Sequence, residues 1–247
     1  MARLIVFDCE SYIYRGCTAC KVLRQDPVDK YIFTESYDLK QGLRYFKETC
    51  DYLMEKLQGT DLLLVFGDKD NFRKIRYPQS EYKAQRKPAP EIYRYLKEAI
   101  QSEYNWESLK NLEADDTCRI IYEDNQYYQV AKVLVSIDKD FNTFEGEVFN
   151  PNKPDKGIVF TTKQEAEYNL MKQVIVGDTA DNYKGLEGYG EVKATKFLDD
   201  EPRIWEDIRQ LFKENNQLND YLVTRNLATI VGIDRYDFAT GKVKEII

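Results

Sequence analysis

The chain contains no histidine. That absence excludes Ser-His-Asp and Cys-His nucleophilic chemistry, together with every histidine-ligated metal. Catalysis, if there is any, falls to carboxylates, lysines, tyrosines or a hard metal ion. Long apolar runs are missing too: none approaches the ~20 residues of a membrane-spanning helix, and the opening MARLIVFDCE has no signal-peptide pattern. A cytoplasmic location without membrane contact is therefore expected. Cysteine is sparse. Cys9, Cys17, Cys20, Cys50 and Cys118 read as reduced thiols, an odd number unsuited to a disulfide framework. Cys17 and Cys20 lie three apart, but no histidine or further cysteine stands near to complete a zinc site.

Aromatic residues and charge are plentiful. With 19 Tyr and 12 Phe among 247 residues, the chain is not disordered and can bury a full core. The net charge of −7 argues against a nucleic-acid partner until its distribution is considered. Residues 69–94 hold eight basic side chains (Lys69, Arg73, Lys74, Arg76, Lys83, Arg86, Lys87, Arg94) against Asp70, Glu81 and Glu91. A basic patch beside acidic clusters suits a metal site that handles phosphate.

Three apolar runs read as buried parallel strands: RLIVFD (3–8), DLLLVFG (61–67) and AKVLVSID (131–138). Each closes on an acid: Asp8, Asp68, and Asp138 with Asp140. Between and after them, apolar spacing predicts helices over 38–58, from Glu91 onward, and over 113–122, 163–176 and 202–215, with an irregular or strand-like C-terminus. Alternating strands and helices predict an α/β fold, a mainly parallel central sheet with helices on both faces. The site of such a sheet lies beyond the carboxyl ends of its strands.

The stretch 176–198, VGDTADNYKGLEGYGEVKATKFL, adds Asp178 and Asp181, three apart and thus one turn apart if helical. Gly185, Gly188 and Gly190 then read as a tight turn before a helix starting near Glu191. Its backbone amides are suited to a phosphate or an ion. Collected, the candidate carboxylates are Asp8, Asp68, Glu113, Asp115, Asp116, Asp138, Asp140, Asp178 and Asp181. If they converge, mutual repulsion forbids full ionisation without bound cations. An all-oxygen ligand set selects Mg²⁺ or Mn²⁺, and two such ions would serve a phosphodiester displacement. Lys83 and Arg86, at i and i+3, would share a helix face and steady the phosphate. Tyr82 is a candidate to stack on a terminal base.

These motifs, in this order, resemble the flap endonuclease / 5′→3′ exonuclease family, in particular its short phage-encoded members. LIVFDCESYIYR matches the first strand and helix, FGDKDNFRKIRYPQSEYKAQR the second-strand acid and a Tyr-Lys-x-x-Arg segment, and LEADDT, SIDKDF and GDTADNYKGLEGYG the remaining acids. The resemblance implies a Mg²⁺-dependent structure-specific nuclease of replication. It would act near the 5′ end of duplex or flap DNA, or on RNA–DNA hybrids. Asp8, Asp68, Glu113, Asp115 and Asp116 would serve one ion, and Asp138, Asp140, Asp178 and Asp181 a second. Arg15 would lie near the substrate phosphate. A helix–turn–helix with Lys193 and Lys196 would hold duplex, and K⁺ would sit among backbone carbonyls of its turn. It further implies a nuclease core over 1–176, with an arch-like basic segment at about 69–94, and a duplex-binding region over 177–247 packed onto it. Two departures stand out: Cys9 where the family usually has Gly, and a segment after Arg86 that is short and carries Pro88 and Pro90. A haloacid-dehalogenase-type phosphatase would want Asp where Glu10 stands, and a compact PIN-type nuclease needs no glycine turn. A non-catalytic DNA-binding module has no reason to face its polyanionic ligand with nine acids.

Overall fold

The computed structural model describes residues 2–29, 31–125 and 129–246. The first strand, β1 (Arg3–Asp8), buries its four interior residues and leads directly into α1 (Glu10–Ala19). A hairpin of β2 (Lys21–Gln25) and β3 (Phe33–Tyr37) precedes α2 (Leu39–Leu57). Asp38 starts α2 by accepting the Lys40 N–H, and Gln58 ends it in the left-handed region. Then come β4 (Asp61–Val65), the short α3 (Phe72–Arg76), α4 (Glu91–Glu103), β5 (Trp106–Glu107), α5 (Ala114–Glu123) and β6 (Ala131–Val135). After β7 (Gly146–Phe149) and β8 (Ile158–Thr161), α6 (Lys163–Val176) opens with a Thr162/Glu165 capping box. A two-residue ladder of β9 (Gly177–Asp178) and β10 (Tyr183–Lys184) separates α6 from α7 (Glu191–Asp200). The described chain ends through α8 (Trp205–Glu214), α9 (Leu218–Ala228) and the hairpin β11 (Tyr236–Asp237) with β12 (Lys242–Val243).

The central sheet has the order β5-β4-β1-β6-β7-β8, parallel except for the β7–β8 pair. The expected mainly parallel sheet with helices on both faces is what forms. Ile5 and Phe7 pack against α1, α2 and α4, whereas Leu4 and Val6 pack against α5. A strand covered on both sides has no polar face, which is why RLIVFD reads as a continuous apolar run. The chain fills the β4–β5 side of β1 first and then returns to place β6 on the other side. The order therefore reverses at β1/β6, where α/β sheets open a crevice beyond their carboxyl ends. A second layer, α6 to α9, closes on its own core around Val174, Ile175, Ala194, Ile208, Phe212 and Tyr221. Tyr77 and Tyr82 of the basic segment are buried in that same core.

Several elements carry no readable pattern. α9 buries Thr224 and Asn226 beside Tyr221 and Leu227, so it has no polar face. Thr224 donates to the Lys184 carbonyl, and Asn226 to those of Leu222 and Ile246. β7 and β8 are four residues each, and the middle of β8 is exposed. The basic segment forms no arch: beyond α3 and one 3₁₀ turn at 78–80 it is irregular up to α4. All five cysteines are free and buried. No helix among the described residues is long and apolar enough to cross a membrane.

The α1–α2 contact depends on a missing side chain. A Cβ at Gly42 would fall 2.3 Å from Cys20 Sγ and 3.2 Å from both the Gly16 carbonyl and Leu96. Gly42→Ala should therefore lose about 1–3 kcal/mol of stability to overpacking, read by urea denaturation. Unchanged stability would mean that the two helices tolerate separation.

Candidate metal centre

The sheet delivers its acids to one end. Asp8 terminates β1, and its Oδ2 accepts from Ser136 Oγ (2.9 Å), just past β6. The same Oγ accepts the Asp138 N–H at 3.1 Å. Ser136, 1% exposed, thus ties the end of β1 to the turn carrying Asp138 and Asp140. From the β5 side comes the start of α5, where oxygens of Glu113, Asp115 and Asp116 lie within 4.8 Å of one another. Acids suit this position because the first turn of a helix exposes amides and a positive dipole end. Asp178 and Asp181 arrive from the α6 side. They are not one helical turn apart as expected: Asp178 lies in β9, and its Oδ1 accepts the N–H groups of Ala180 (2.7 Å) and Asp181 (3.2 Å) in the β9–β10 turn.

Four of these acids are met by side-chain cations. Glu113 bonds Lys83 Nζ (2.5 Å), Arg73 Nη1 (3.1 Å) and the Tyr82 hydroxyl (2.8 Å). Burial opposes its charge, but Lys83 and Arg73 carry its pKa down to about 2. Asp116 is gripped by both Arg73 guanidinium nitrogens (2.6 and 2.8 Å) and also accepts the N–H groups of Val231 and Glu113. Asp178 pairs with Lys139 (2.9 Å), which overcomes burial and lowers its pKa. Asp181 pairs with Arg86 (2.6 Å) and lies 3.5 Å from Lys83.

The other four, Asp8, Asp115, Asp138 and Asp140, have no cationic side chain in contact among the described residues. Burial, then Glu10 and Asp138, push Asp8 up to about 7 despite the Ser136 hydrogen bond. Burial and the adjacent Asp116 and Glu113 raise Asp115 well above the carboxylate range. Burial and Asp138 raise Asp140 to about 6. Fully ionised, the eight carboxylates would outnumber Arg73, Lys83, Arg86 and Lys139 by four. Oxygen donors only, crowded and under-neutralised, fit hard cations such as Mg²⁺ or Mn²⁺.

Several expectations require correction. Asp116 belongs with Glu113 and Asp115 to the group that could hold an ion, while its two oxygens also accept from four protein donors and so brace Arg73 and Glu113. Asp68 lies outside the Glu113–Asp115–Asp116 group, its oxygens accepting the backbone N–H groups of Lys69 and Asn111, both at 2.7 Å. Lys83 and Arg86 do not share a helix face. Residues 81–86 form irregular turns, with Glu81 and Lys83 both at positive φ. Their cations nevertheless converge, Lys83 10% exposed between Glu113 and Asp181. Burial works against the Lys83 charge, yet Glu113, Asp115 and Asp181 hold its pKa above the usual lysine value. Tyr82 has no ring face to offer a base. It is 5% exposed, stacked on Tyr183 (centroids 6.3 Å apart), and its hydroxyl serves Glu113 and Asp181.

The glycine turn divides by role. A Cβ on Gly185 would lie 2.2 Å from the Ile175 carbonyl and 2.4 Å from Gly177 N, so this residue permits close backbone packing rather than ligand approach. Gly188 (φ +75°) and Gly190 have open space around them. Gly190 caps α7, and Lys193 sits over the Tyr189 ring with Nζ 3.4 Å from the Gly188 carbonyl. Lys196 is exposed on the same helix. Arg15 lies on α1, bonded to Asn152 and stacked on Tyr12, and touches no acid of the cluster among the described residues. Sequence reasoning missed Arg73. It is 1% exposed and its five N–H groups reach Glu113, Asp116 and the carbonyls of Leu227 and Thr229. Nothing in a basic run singles out one buried member.

The profile of the 5′-3′ exonuclease N-terminal, resolvase-like domain matches residues 3–168. The exodeoxyribonuclease of Enterobacteria phage T3 is 31% identical over 160 residues, 63% of this chain and 52% of that protein. The exonuclease of Escherichia phage T7 is 30% identical over 145 residues, 57% and 47%. The chain spans about half the length of these curated relatives. Among solved structures, the bacteriophage T5 flap endonuclease, in a pseudo-enzyme–product complex with DNA and metal ions, has a TM-score of 0.60 at 18% identity, covering 92% of this chain and 89% of that one. That likeness is one of fold.

Two predictions separate braces from free acids. Asp116→Asn removes one of the two carboxylates that meet the buried Arg73, leaving only Glu113, and should cost about 3 kcal/mol or more in the metal-free protein. Asp115→Asn should leave metal-free stability equal or higher while removing most of the stabilisation by Mn²⁺, read by thermal melts with and without the ion. Equal behaviour of the two variants would refute the division. The second concerns pH. The raised pKa values of Asp8 and Asp140 mean that the folded state holds protons the unfolded chain has lost. Their destabilisation is absent below about pH 4, grows toward pH 7 and is complete above. Melts in EDTA should thus show a midpoint falling from pH 5 to 8, less so in Asp8→Asn; a rising midpoint, or an unaltered slope in the variant, would contradict it.

Proposed function

The chain belongs to the 5′-3′ exonuclease family, and on that premise we propose that it is a structure-specific 5′→3′ nuclease. It would hydrolyse phosphodiester bonds near the 5′ end of duplex or flap DNA, and of RNA–DNA hybrids, in phage replication. The observation that carries the proposal is the meeting of Glu113, Asp115 and Asp116 within 4.8 Å of one another, with the Lys83 ammonium held between Glu113 and Asp181 and Arg86 on Asp181.

Asp8, Glu113 and Asp115 would hold one divalent ion, and Asp138 and Asp140, backed by Asp178 and Asp181, a second. Mg²⁺ is the proposed ion, with Mn²⁺ able to replace it. Bound there, the ions would supply Lewis-acid stabilisation to the attacking and leaving oxygens. Lys83 stays an ammonium in a largely water-excluded position, where a preorganised charge acts strongly on a phosphate gaining negative charge. Arg86, its side chain 57% exposed, can turn from Asp181 toward a substrate phosphate. Tyr82, its phenol held protonated by burial and the Glu113 charge, donates to the acids and keeps them in register. The open backbone at Gly188 and Gly190, with Lys193 and Lys196, would grip duplex phosphates without reading sequence. K⁺ among the carbonyls of this turn belongs to the same proposal.

Product sizing on 5′-labelled blunt, gapped and flap duplexes in Mg²⁺ tests the reading. Short 5′ products that vanish with EDTA are expected, and vanish also in Asp138→Asn/Asp140→Asn while duplex binding persists. Full hydrolysis by the double variant would overturn the metal assignment, and products from 3′ ends the polarity. Lys83→Ala should lower kcat by about 10²-fold or more with little change in KM, since a charge aimed at the phosphate acts mainly on the transition state. A normal kcat with weaker binding would reduce Lys83 to a general phosphate contact.

A further inference from the structure

Six non-glycine residues have left-handed backbones among those described, and three of them, Glu81 (φ 51°), Lys83 (φ 56°) and Asn182 (φ 57°), meet at one joint. Side-chain-bearing residues hold this conformation only when their surroundings impose it. Here the β9–β10 turn imposes it. The Lys83 N–H donates to the Asp181 carbonyl at 2.9 Å. Asn182 Nδ2 donates to the Glu81 carbonyl, and Asn182 Oδ1 accepts from Gln85 Nε2, both at 2.9 Å. A backbone carbonyl can only accept, so the orientation of this amide is fixed by chemistry. One side chain thus braces the chain two residues before Lys83 and two residues after it.

Resting on the nuclease reading above, we infer that Asn182 is a positioning residue for the reaction: its amide locks the left-handed turn at 81–83 and so aims Lys83 and Arg86 into the acids. Asn182 is bonded to neither cation. Its effect is carried by the turn. Asparagine suits the post twice, since it tolerates the left-handed region and offers a donor and an acceptor on one short side chain. Without the brace, the strain at Glu81 and Lys83 is released by rotation toward ordinary φ, which swings the Lys83 side chain away from Glu113 and Asp181.

Asn182→Gly keeps the left-handed backbone and removes the brace, and Asn182→Asp keeps the shape and the acceptor but loses the donor to Glu81. In Mg²⁺ with 5′-labelled duplex, both should lower kcat by on the order of 10-fold or more, as small misplacements of reacting groups do, with KM nearly constant. In a Lys83→Ala/Arg86→Ala background the same changes should cost less than about twofold, because nothing remains to be aimed. Independently of turnover, modification of the metal-free protein by an amine-reactive reagent, quantified by mass spectrometry, should label Lys83 severalfold faster in both variants than in wild type, with other lysines unchanged. Equal losses in both backgrounds, or unchanged Lys83 labelling in a folded variant, would overturn the assignment. The labelling arm does not need cleavage, so a wild-type protein inactive on every duplex would sink the nuclease reading while the brace is still tested.

Discussion

Eight carboxylates gathered at one end of a sheet cannot all stay ionised out of water unless positive charge meets them. The fold answers with four side-chain cations, Arg73, Lys83 and Arg86 from the basic segment and Lys139 from the turn after β6, and leaves Asp8, Asp115, Asp138 and Asp140 without one among the described residues. That shortfall is built in: Arg73 is spent on Glu113 and Asp116, Lys139 on Asp178, Arg86 on Asp181, and Lys83 bridges Glu113 and Asp181. Asp8, Asp115 and Asp140 hold their protons more tightly instead, which is what their raised pKa values record. A divalent ion replaces those protons with charge, so metal affinity and proton release are two sides of one balance.

The same cations tie the architecture together. Arg73, on α3, reaches the carbonyls of Leu227 and Thr229 at the end of α9, joining the basic segment, the α5 acids and the helical layer at one buried point. A buried charge pair of this kind adds little net stability relative to an apolar substitute, but losing one partner is costly, so it enforces one arrangement. Tyr82 works alongside it, its ring in the core of the helical layer and its hydroxyl on the acids. The crevice is thereby assembled from both layers, and neither alone holds the full set of acids.

Much of this was legible in the sequence, for physical reasons. Buried parallel strands leave apolar runs, so β1, β4 and β6 were visible; α2 kept its amphipathic spacing because one face is solvent. Of the expected acids, Glu113, Asp115 and Asp116 meet at the start of α5, and Lys83 links Glu113 to Asp181. What the sequence could not convey is orientation. Asp68 follows a strand end just as Asp8 does, yet the turn that follows rotates it onto the amides of Lys69 and Asn111. Asp116 looks like its neighbour Asp115 until a buried arginine from a distant segment claims it. The Lys83–Arg86 spacing suggested a helix, whereas left-handed residues fold the segment into turns that deliver the same cations. α9 and the β2–β3 hairpin escaped notice because one buries polar residues and the other is largely polar and exposed, so neither shows an apolar face.

The most direct test of the charge shortfall is calorimetric titration of the metal-free protein with Mn²⁺ at pH 6.5, repeated in buffers of differing ionisation enthalpy. The account predicts two ions per chain and a heat that changes with the buffer, because Asp8, Asp115 and Asp140 release protons as the ions bind. A single ion, or a heat indifferent to the buffer, would contradict it.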